Sequence, residues 1–194
     1  MTDINNKKGK VVIVSGPSGV GKSTICKEIV KRLDHVYLSI SMTTRPKSDA
    51  EVDGRDYWFV SKEEFQERIE KGLLLEHAKV FGHFYGTPKD KANEALEEGK
   101  IVILEIDVQG ARQAKAVFKD AIMIFILPPS AKTLAERIDH RGREVAEAAE
   151  ERLNGASVEI AAAWQYYQHM VINEDLQQAV NECVQIITDK KTGT

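Results

Sequence analysis

One short segment near the start of the chain combines glycines, a lysine and a hydroxyl group at a spacing that can bind phosphate. It reads Gly16-Pro17-Ser18-Gly19-Val20-Gly21-Lys22-Ser23, followed by Thr24, and it fits the pattern G-x-x-x-x-G-K-[ST]. In such a loop the glycines let backbone N–H groups converge on a phosphate, Lys22 reaches the β and γ oxygens, and the Ser23 hydroxyl can ligate Mg²⁺. The segment therefore predicts a nucleoside triphosphate ligand, bound together with Mg²⁺.

The loop lies between a predicted strand and a predicted helix, as a phosphate loop must. The β-branched run Val11 to Ser15 precedes it, and apolar residues recur every four positions from Ile25 to Leu33. A chance glycine turn is the alternative, but such turns rarely occupy this position. Gly19-Val20-Gly21 lacks the third glycine of G-x-G-x-x-G, and Ser18 does not fit G-x-S-x-G, which excludes dehydrogenases and serine hydrolases.

Further strands are predicted from two apolar runs, Ile101 to Ile106 and Ile122 to Leu127, which show no alternation of polar and apolar residues. Such runs are typical of strands covered on both faces in a parallel sheet. Met170 to Ile172 is a last, shorter strand, and helical segments lie between the strands. We therefore predict an α/β fold with a three-layer core and a mostly parallel sheet.

Capping residues indicate where several helices begin. Ser61 and Glu64 form a capping box, Thr87-Pro88 supplies a cap and a first-turn proline, and Ser130 caps a helix that runs to about residue 140. Two stretches depart from the α/β pattern. Residues 39–86 lack long apolar runs and suggest a small appended lobe, whereas Asp139 to Arg152 is dense in charge and suggests an exposed helical flap.

Composition excludes several classes of protein. The chain has 194 residues, of which 42% are hydrophobic, and its longest apolar run, Ala121 to Leu127, is far shorter than the roughly 20 residues that span a bilayer. The net charge of −3 gives no general attraction to nucleic acid or to an anionic membrane. Cys26 and Cys183 have no metal-site spacing, which suits a reducing cytoplasm.

A series of short segments follows the phosphate loop along the chain. They are Ser39-Ile40-Ser41-Met42-Thr43-Thr44-Arg45-Pro46, Glu51 to Val60, Glu76-His77, Tyr85-Gly86-Thr87, Glu105-Ile106-Asp107-Val108-Gln109-Gly110, Phe125 to Ser130, Arg137, Arg141-Gly142, Arg152-Leu153 and Val171 to Leu176. In these segments and in their order, the chain resembles the guanylate kinase family over about residues 10–187. The resemblance implies phosphorylation of GMP, and of dGMP, by ATP.

Guanine recognition is assigned through this resemblance to three positions. Glu76 matches the glutamate that accepts hydrogen bonds from N1–H and the 2-amino group, Ser41 supplies a hydroxyl to O6, and Asp107 lies near the exocyclic amine. This chemistry is sound, because adenine has an acceptor at N1 and no 2-amino group and would leave a buried carboxylate unpaired. The alternative for each residue alone is an ordinary polar position.

The GMP phosphate is assigned to Arg45, with Tyr57, Tyr85 and Thr87 completing the set and Glu105 near the phosphates and Mg²⁺. Here the chain departs from the family pattern T-T-R-x-P-R-x-G-E, because Ser48 stands where the second arginine is expected. Lys47 can replace it only as a point charge. We therefore predict weaker or differently arranged phosphate contacts.

The family's lid arginines correspond to Arg137, Arg141 and Arg152, and Asn173 corresponds to a position near the adenine of ATP. With Lys22 and Arg45, these arginines form the predicted catalytic set, since guanidinium groups stabilise charge on a phosphoryl group in transfer. The alternatives are a solvated, salt-bridged helix for the arginines and a structural role for the asparagine.

The resemblance divides a single domain, residues 1–194, into three parts. These are a core (1–38, 93–130 and 155–194), a GMP-binding lobe (39–92) and a lid (131–154). Two other functions stay open: a P-loop kinase for another substrate, such as AMP or dTMP, and an interaction module of guanylate kinase type that has lost catalysis. The intact Lys22 and Ser23 argue against the second. Monomer and dimer are equally compatible with the sequence.

Overall fold

The structure, a computed structural model, describes residues 9–139 and 146–189. Helices and strands alternate along the described chain in the order β1 (Lys10–Ser15), α1 (Lys22–Arg32), β2 (Val36–Leu38), β3 (Met42–Thr43), β4 (Trp58–Phe59), α2 (Lys62–Glu70), β5 (Leu74–Val80), β6 (His83–Pro88), α3 (Lys89–Glu97), β7 (Ile101–Glu105), α4 (Val108–Val117), β8 (Ile122–Leu127), α5 (Ala131–Asp139), α6 (Ala146–Tyr166), β9 (His169–Ile172) and α7 (Leu176–Thr188).

The apolar runs build a parallel sheet whose order, within the described residues, is β2-β7-β1-β8-β9. Alternate residues of β1 point to opposite faces: Val12 and Val14 pack in one core cluster with α1 and α7, and Ile13 packs in the other with α3 and α4. Because helices cover both faces, every core residue of this strand is buried. The predicted three-layer α/β fold is confirmed.

A second sheet lies within residues 42–88, inside the stretch predicted as an appended lobe. Its order in the described chain is β4-β3-β6-β5, and its strands pair in both directions. Phe65 of α2 packs with Met42 and Leu74 in a separate small core. These strands have no clear signal in the sequence, because β3 and β4 have only two residues each and β5 and β6 mix polar with apolar residues.

The predicted helix starts are only partly correct. Ser61 accepts a hydrogen bond from the Glu64 backbone N–H at 3.0 Å, and Ser130 accepts one from the backbone N–H of Thr133 at 3.0 Å, as predicted caps should. The cap at Thr87 is wrong. Thr87 is fully buried in β6, and α3 begins only after Pro88.

Helix α6 runs without interruption from Ala146 to Tyr166 and therefore crosses the expected boundary between lid and core at residue 154. None of the helices that the structure describes is long and apolar enough to span a membrane. The carboxyl ends of β1 and β7 lie side by side, since Val14 pairs with Glu105. In open α/β sheets this edge is where ligands bind.

Candidate active site

A cleft of about 240 Å³ opens at this edge of the sheet, between the parallel core and the second sheet. The phosphate loop forms one wall, the strands β5 and β6 form another, and the end of β7 and helix α6 close the site. Its lining residues are Gly16, Ser18, Gly19, Gly21, Lys22, Ser23, Ser41, Tyr57, Glu76, Ala78, Val80, Phe81, Tyr85, Gly86, Glu105, Ile106, Asp107 and Glu159. The predicted triphosphate and guanine positions therefore share one cleft.

The phosphate loop ends at Gly21, which is the N-cap of α1 and has a φ of 102°. This left-handed conformation is strained for residues other than glycine. A Cβ atom at Gly21 would also lie 2.6 Å from Nδ2 of Asn173. Both observations require glycine at the point where the loop passes into helix α1. The N-terminus of α1, with the positive end of the helix dipole, lies at the cleft.

Lys22 extends its side chain back over the phosphate loop. Its Nζ atom donates to the carbonyl oxygens of Gly16 at 2.6 Å and of Pro17 at 3.2 Å. The ammonium charge therefore lies over the loop that is predicted to bind phosphate. Phosphate oxygens would offer it stronger, charge-assisted hydrogen bonds than these carbonyls do.

Two oxygen groups that could ligate a metal ion, the Ser23 hydroxyl and the Glu105 carboxylate, lie side by side next to the loop. The Ser23 hydroxyl donates to Oε1 of Glu105 at 2.6 Å, which brings the first turn of α1 against the end of β7. Hydroxyl and carboxylate oxygens are hard ligands of the kind that Mg²⁺ prefers. Thr24 is exposed on the same turn and does not line the cleft.

Glu76 lines the cleft from β5 and is only 4% exposed. Its Oε1 atom accepts a hydrogen bond from the Thr87 hydroxyl at 2.7 Å. Burial raises the pKa of Glu76 to about 7, an effect that the Thr87 hydrogen bonds oppose and the Asp107 charge reinforces. Thr87 is fully buried and does not line the cleft, and its hydroxyl takes the Glu76 carboxylate as its acceptor. A contact of Thr87 with the GMP phosphate stays a prediction.

Asp107 caps α4 and lies beside Glu76. Its Oδ1 atom accepts a hydrogen bond from the Gly110 backbone N–H at 2.8 Å, and burial raises its pKa. Ser41 also lines the cleft. The structure therefore brings the three predicted base-reading residues, Ser41, Glu76 and Asp107, to one site.

Arg45 already has an anionic partner in the described structure. Its guanidinium group donates to both carboxylate oxygens of Glu51, at 3.0 and 2.6 Å. This pair, with help from Ser48, holds the pKa of Glu51 at about 2. The guanidinium carbon also lies 5.5 Å from the Tyr57 ring centroid, and the Tyr57 ring packs edge-on against Tyr85.

Ser48, at the position of the missing arginine, also serves Glu51. Its backbone N–H donates to the Glu51 carboxylate at 2.9 Å and its hydroxyl donates at 2.7 Å. Lys47 is exposed and donates to the Glu51 backbone carbonyl at 3.1 Å. The segment is thus held by Glu51, and Lys47 is not among the residues that line the cleft.

The predicted lid residues are described only in part. Arg137 donates to the backbone carbonyls of Asn173 at 3.0 Å and Val20 at 3.4 Å. Asn173 is buried, and its amide nitrogen donates to the same Val20 carbonyl at 2.8 Å. Arg141 lies outside the described residues, and only the backbone of Arg152, within α6, is described.

Glu159, which was not predicted from the sequence motifs, lines the cleft from α6. Burial raises its pKa to about 7, and Lys22 and Asp107 are the charges that act on it. A signal was available: Glu159 lies three residues after Ala156 and four before Ala163, both buried. A carboxylate on the buried stripe of a helix indicates a functional environment.

Comparison with known proteins gives a consistent result. The sequence model of the family described as Guanylate kinase matches residues 8–190. The chain belongs to the guanylate kinase family. It is 47% identical to the guanylate kinase of Clostridioides difficile, over 95% of this chain and 90% of that protein. With the guanylate kinase of Synechocystis the identity is 44%, over 97% and 98% of the two chains.

The fold of the guanylate kinase family is also found by structural comparison. The crystal structure of the guanylate kinase from Anaplasma phagocytophilum superposes with a TM-score of 0.79 at 31% identity, and the match covers 94% of this chain and 86% of that one. The family resemblance inferred from the sequence motifs is therefore confirmed over nearly the whole chain.

Proposed function

We propose that this guanylate kinase transfers the γ-phosphoryl group of ATP to GMP, and to dGMP, giving ADP and the nucleoside diphosphate. The observation that carries the proposal is the presence of a buried carboxylate, Glu76, in the same cleft as the phosphate loop. The two buried free cysteines, Cys26 and Cys183, suit a reducing compartment, and we place the reaction in the cytoplasm.

Base selection follows from the donors and acceptors at the Glu76 end. Guanine presents N1–H and the 2-amino group as adjacent donors, and a carboxylate can accept from both. Thr87 occupies Oε1 of Glu76 and fixes the orientation of the carboxylate. We assign the O6 contact to Ser41 and a contact near the exocyclic amine to Asp107. Adenine would place an acceptor against the carboxylate, which is the mismatch that polar sites reject most strongly.

In the proposed complex, the phosphates of ATP and the phosphate of GMP meet between the phosphate loop and the second sheet. We assign the GMP phosphate to Arg45, Tyr57 and Tyr85. The residues present fit Mg²⁺, which Ser23 and Glu105 would help to hold against the nucleotide, and the ion would neutralise charge on the β and γ oxygens.

Transfer needs no general base, because the acceptor is already an anionic phosphate oxygen. That oxygen forms a bond to the γ phosphorus as the bond to the β–γ bridging oxygen breaks, and ADP leaves with the electron pair. Lys22 faces the charge that spreads over the transferred group. We assign further stabilisation to Arg137, Arg141 and Arg152, in a lid formed by residues 131–154 that would close over the core together with the lobe, residues 39–92.

The direct test measures ADP formation by the purified protein with ATP, Mg²⁺ and each of GMP, dGMP, AMP, CMP and dTMP. GMP-dependent turnover that exceeds AMP-dependent turnover by several orders of magnitude is expected. Preference for another monophosphate would retain a P-loop kinase and refute the guanine assignment. GMP binding without turnover would instead favour an interaction module.

The pKa of Glu76 predicts how GMP use depends on pH. Since burial raises this pKa to about 7, the carboxylate of the free enzyme is mostly protonated at pH 6 and mostly ionised at pH 8. Only the ionised form accepts both guanine donors, so kcat/KM for GMP is expected to fall about tenfold from pH 8 to pH 6. The phosphate of GMP titrates near pH 6 as well. The control is the Glu76→Gln variant, which loses the titration of Glu76 but keeps those of the GMP phosphate and of Glu159.

Restoring the missing arginine is expected to tighten GMP binding. In Ser48→Arg a second guanidinium would face the GMP phosphate and also share the Glu51 carboxylate that now engages Arg45. One added charge-assisted fork is expected to lower KM for GMP about tenfold and to leave KM for ATP unchanged. Ser48→Ala, which removes only the hydroxyl bond to Glu51, is the control. An unchanged or raised KM for GMP in Ser48→Arg would contradict the prediction.

A further inference from the structure

The carboxylate of Glu76 lies directly against the first turn of helix α4. A Cβ atom built on Gly110 would be 2.3 Å from Oε2 of Glu76, 3.0 Å from its Cδ atom and 3.2 Å from Oδ1 of Asp107. These distances leave no space for a methyl group. The position of the Glu76 carboxylate therefore depends on the absence of a side chain at residue 110.

A second contact holds the strand that carries Glu76 at this distance from α4. The Gln113 side chain, one turn beyond Gly110, accepts a hydrogen bond from the backbone N–H of His77 at 3.2 Å. Its amide nitrogen donates to the His77 carbonyl at 2.6 Å. Both backbone groups of the residue next to Glu76 are thus bound by one amide.

We propose that Gly110 and Gln113 are specificity-determining positioning residues, which set where the base-reading carboxylate of Glu76 stands. Gly110 provides the space for the carboxylate. Gln113 fixes the position of β5 relative to α4. The inference rests on the proposed function, since the group being positioned is the one that selects guanine. Neither residue has a contact with substrate assigned to it.

A glycine within α4 lowers the stability of the helix, and this cost supports a positional role for Gly110. Glycine is a poor helix former, and one inside a helix calls for a packing reason. The group that an alanine would meet is the end of the Glu76 side chain, not the backbone. Gly110→Ala is therefore expected to displace the carboxylate while the helix itself is stabilised.

The test is a comparison of GMP with IMP, which lacks the 2-amino group. In Gly110→Ala, kcat/KM for GMP is expected to fall by about ten- to a hundredfold, as for the loss of one charge-assisted hydrogen bond. IMP has less to lose, so the GMP-to-IMP ratio is expected to fall about tenfold. KM for ATP is expected to stay within about twofold and Tm to be unchanged or higher.

Gln113→Ala tests the second contact, with Gln178→Ala as a matched exposed glutamine on α7. Gln113→Ala is expected to lower the GMP-to-IMP ratio, and Gln178→Ala to leave it unchanged. The inference fails if Gly110→Ala and Gln113→Ala keep the wild-type GMP-to-IMP ratio. It also fails if the two variants impair the use of GMP, IMP and ATP to the same extent, because the residues would then be merely structural. Absence of GMP turnover in the wild type would refute the proposed function itself.

Discussion

Replacing Glu76 with glutamine is expected to lower kcat/KM for GMP by about two to four orders of magnitude. Thr87 donates to Oε1 of Glu76, so the glutamine would keep its carbonyl oxygen there and direct its NH₂ group into the cleft. That donor would then face the guanine donors. Two charge-assisted hydrogen bonds are lost, each contributing about 1.5 to 3 kcal/mol, and each 1.4 kcal/mol corresponds to a factor of ten.

The measurement is steady-state kinetics with GMP varied at saturating ATP, and Glu97→Gln on the exposed end of α3 is the matched control. KM for ATP is expected to change little, because Glu76 lies on β5 and the phosphate loop forms a different wall of the cleft. Thermal unfolding is expected to show no loss of stability, since the substitution removes a buried carboxylate that desolvation disfavours. A variant that retains kcat/KM for GMP within threefold would refute the base-reading role.

The parallel core could be predicted from the sequence because its signals are local. Continuous apolar runs indicate buried strands, and the glycine pattern of residues 16–23 requires a strand before it and a helix after it. The second sheet has no comparable signal. Strand β3 has only two residues, and β5 and β6 mix polar with apolar residues. The pairs β3–β6 and β5–β6 therefore depend on contacts between segments and not on local periodicity.

Identities of site residues were likewise easier to predict than their partners. The motifs indicated Glu76 and Arg45, but not that Thr87 binds the first or that Glu51 binds the second. Thr87 before a proline looked like a helix cap, and only its complete burial in β6 shows why its hydroxyl turns to a carboxylate. Gly110 carried no chemical signal, since its role is to leave space for a side chain 34 positions away.

Replacing Lys22 with methionine is expected to lower kcat about a thousandfold with a much smaller change in KM for GMP. Methionine keeps most of the apolar stem but removes the ammonium group, which the structure holds over the loop by bonds to Gly16 and Pro17. Charge on the transferred phosphoryl group is greatest in the transition state, so its loss is felt mainly in kcat. Removal of one preorganised donor of this kind costs about 10²- to 10³-fold, and a full charge is at the upper end.

The control for Lys22 is Lys31→Met on the same helix, where the ammonium group only forms an exposed pair with Glu28. Single-turnover kinetics at saturating ATP and GMP separate the chemical step from product release. Since we assign Lys22 to the donor phosphates and Glu76 to the base, the two variants are expected to fail differently: Lys22→Met in kcat, and Glu76→Gln in selectivity among monophosphates. A Lys22→Met variant with kcat within tenfold of the wild type would place the stabilising charge elsewhere, on the arginines of the lid.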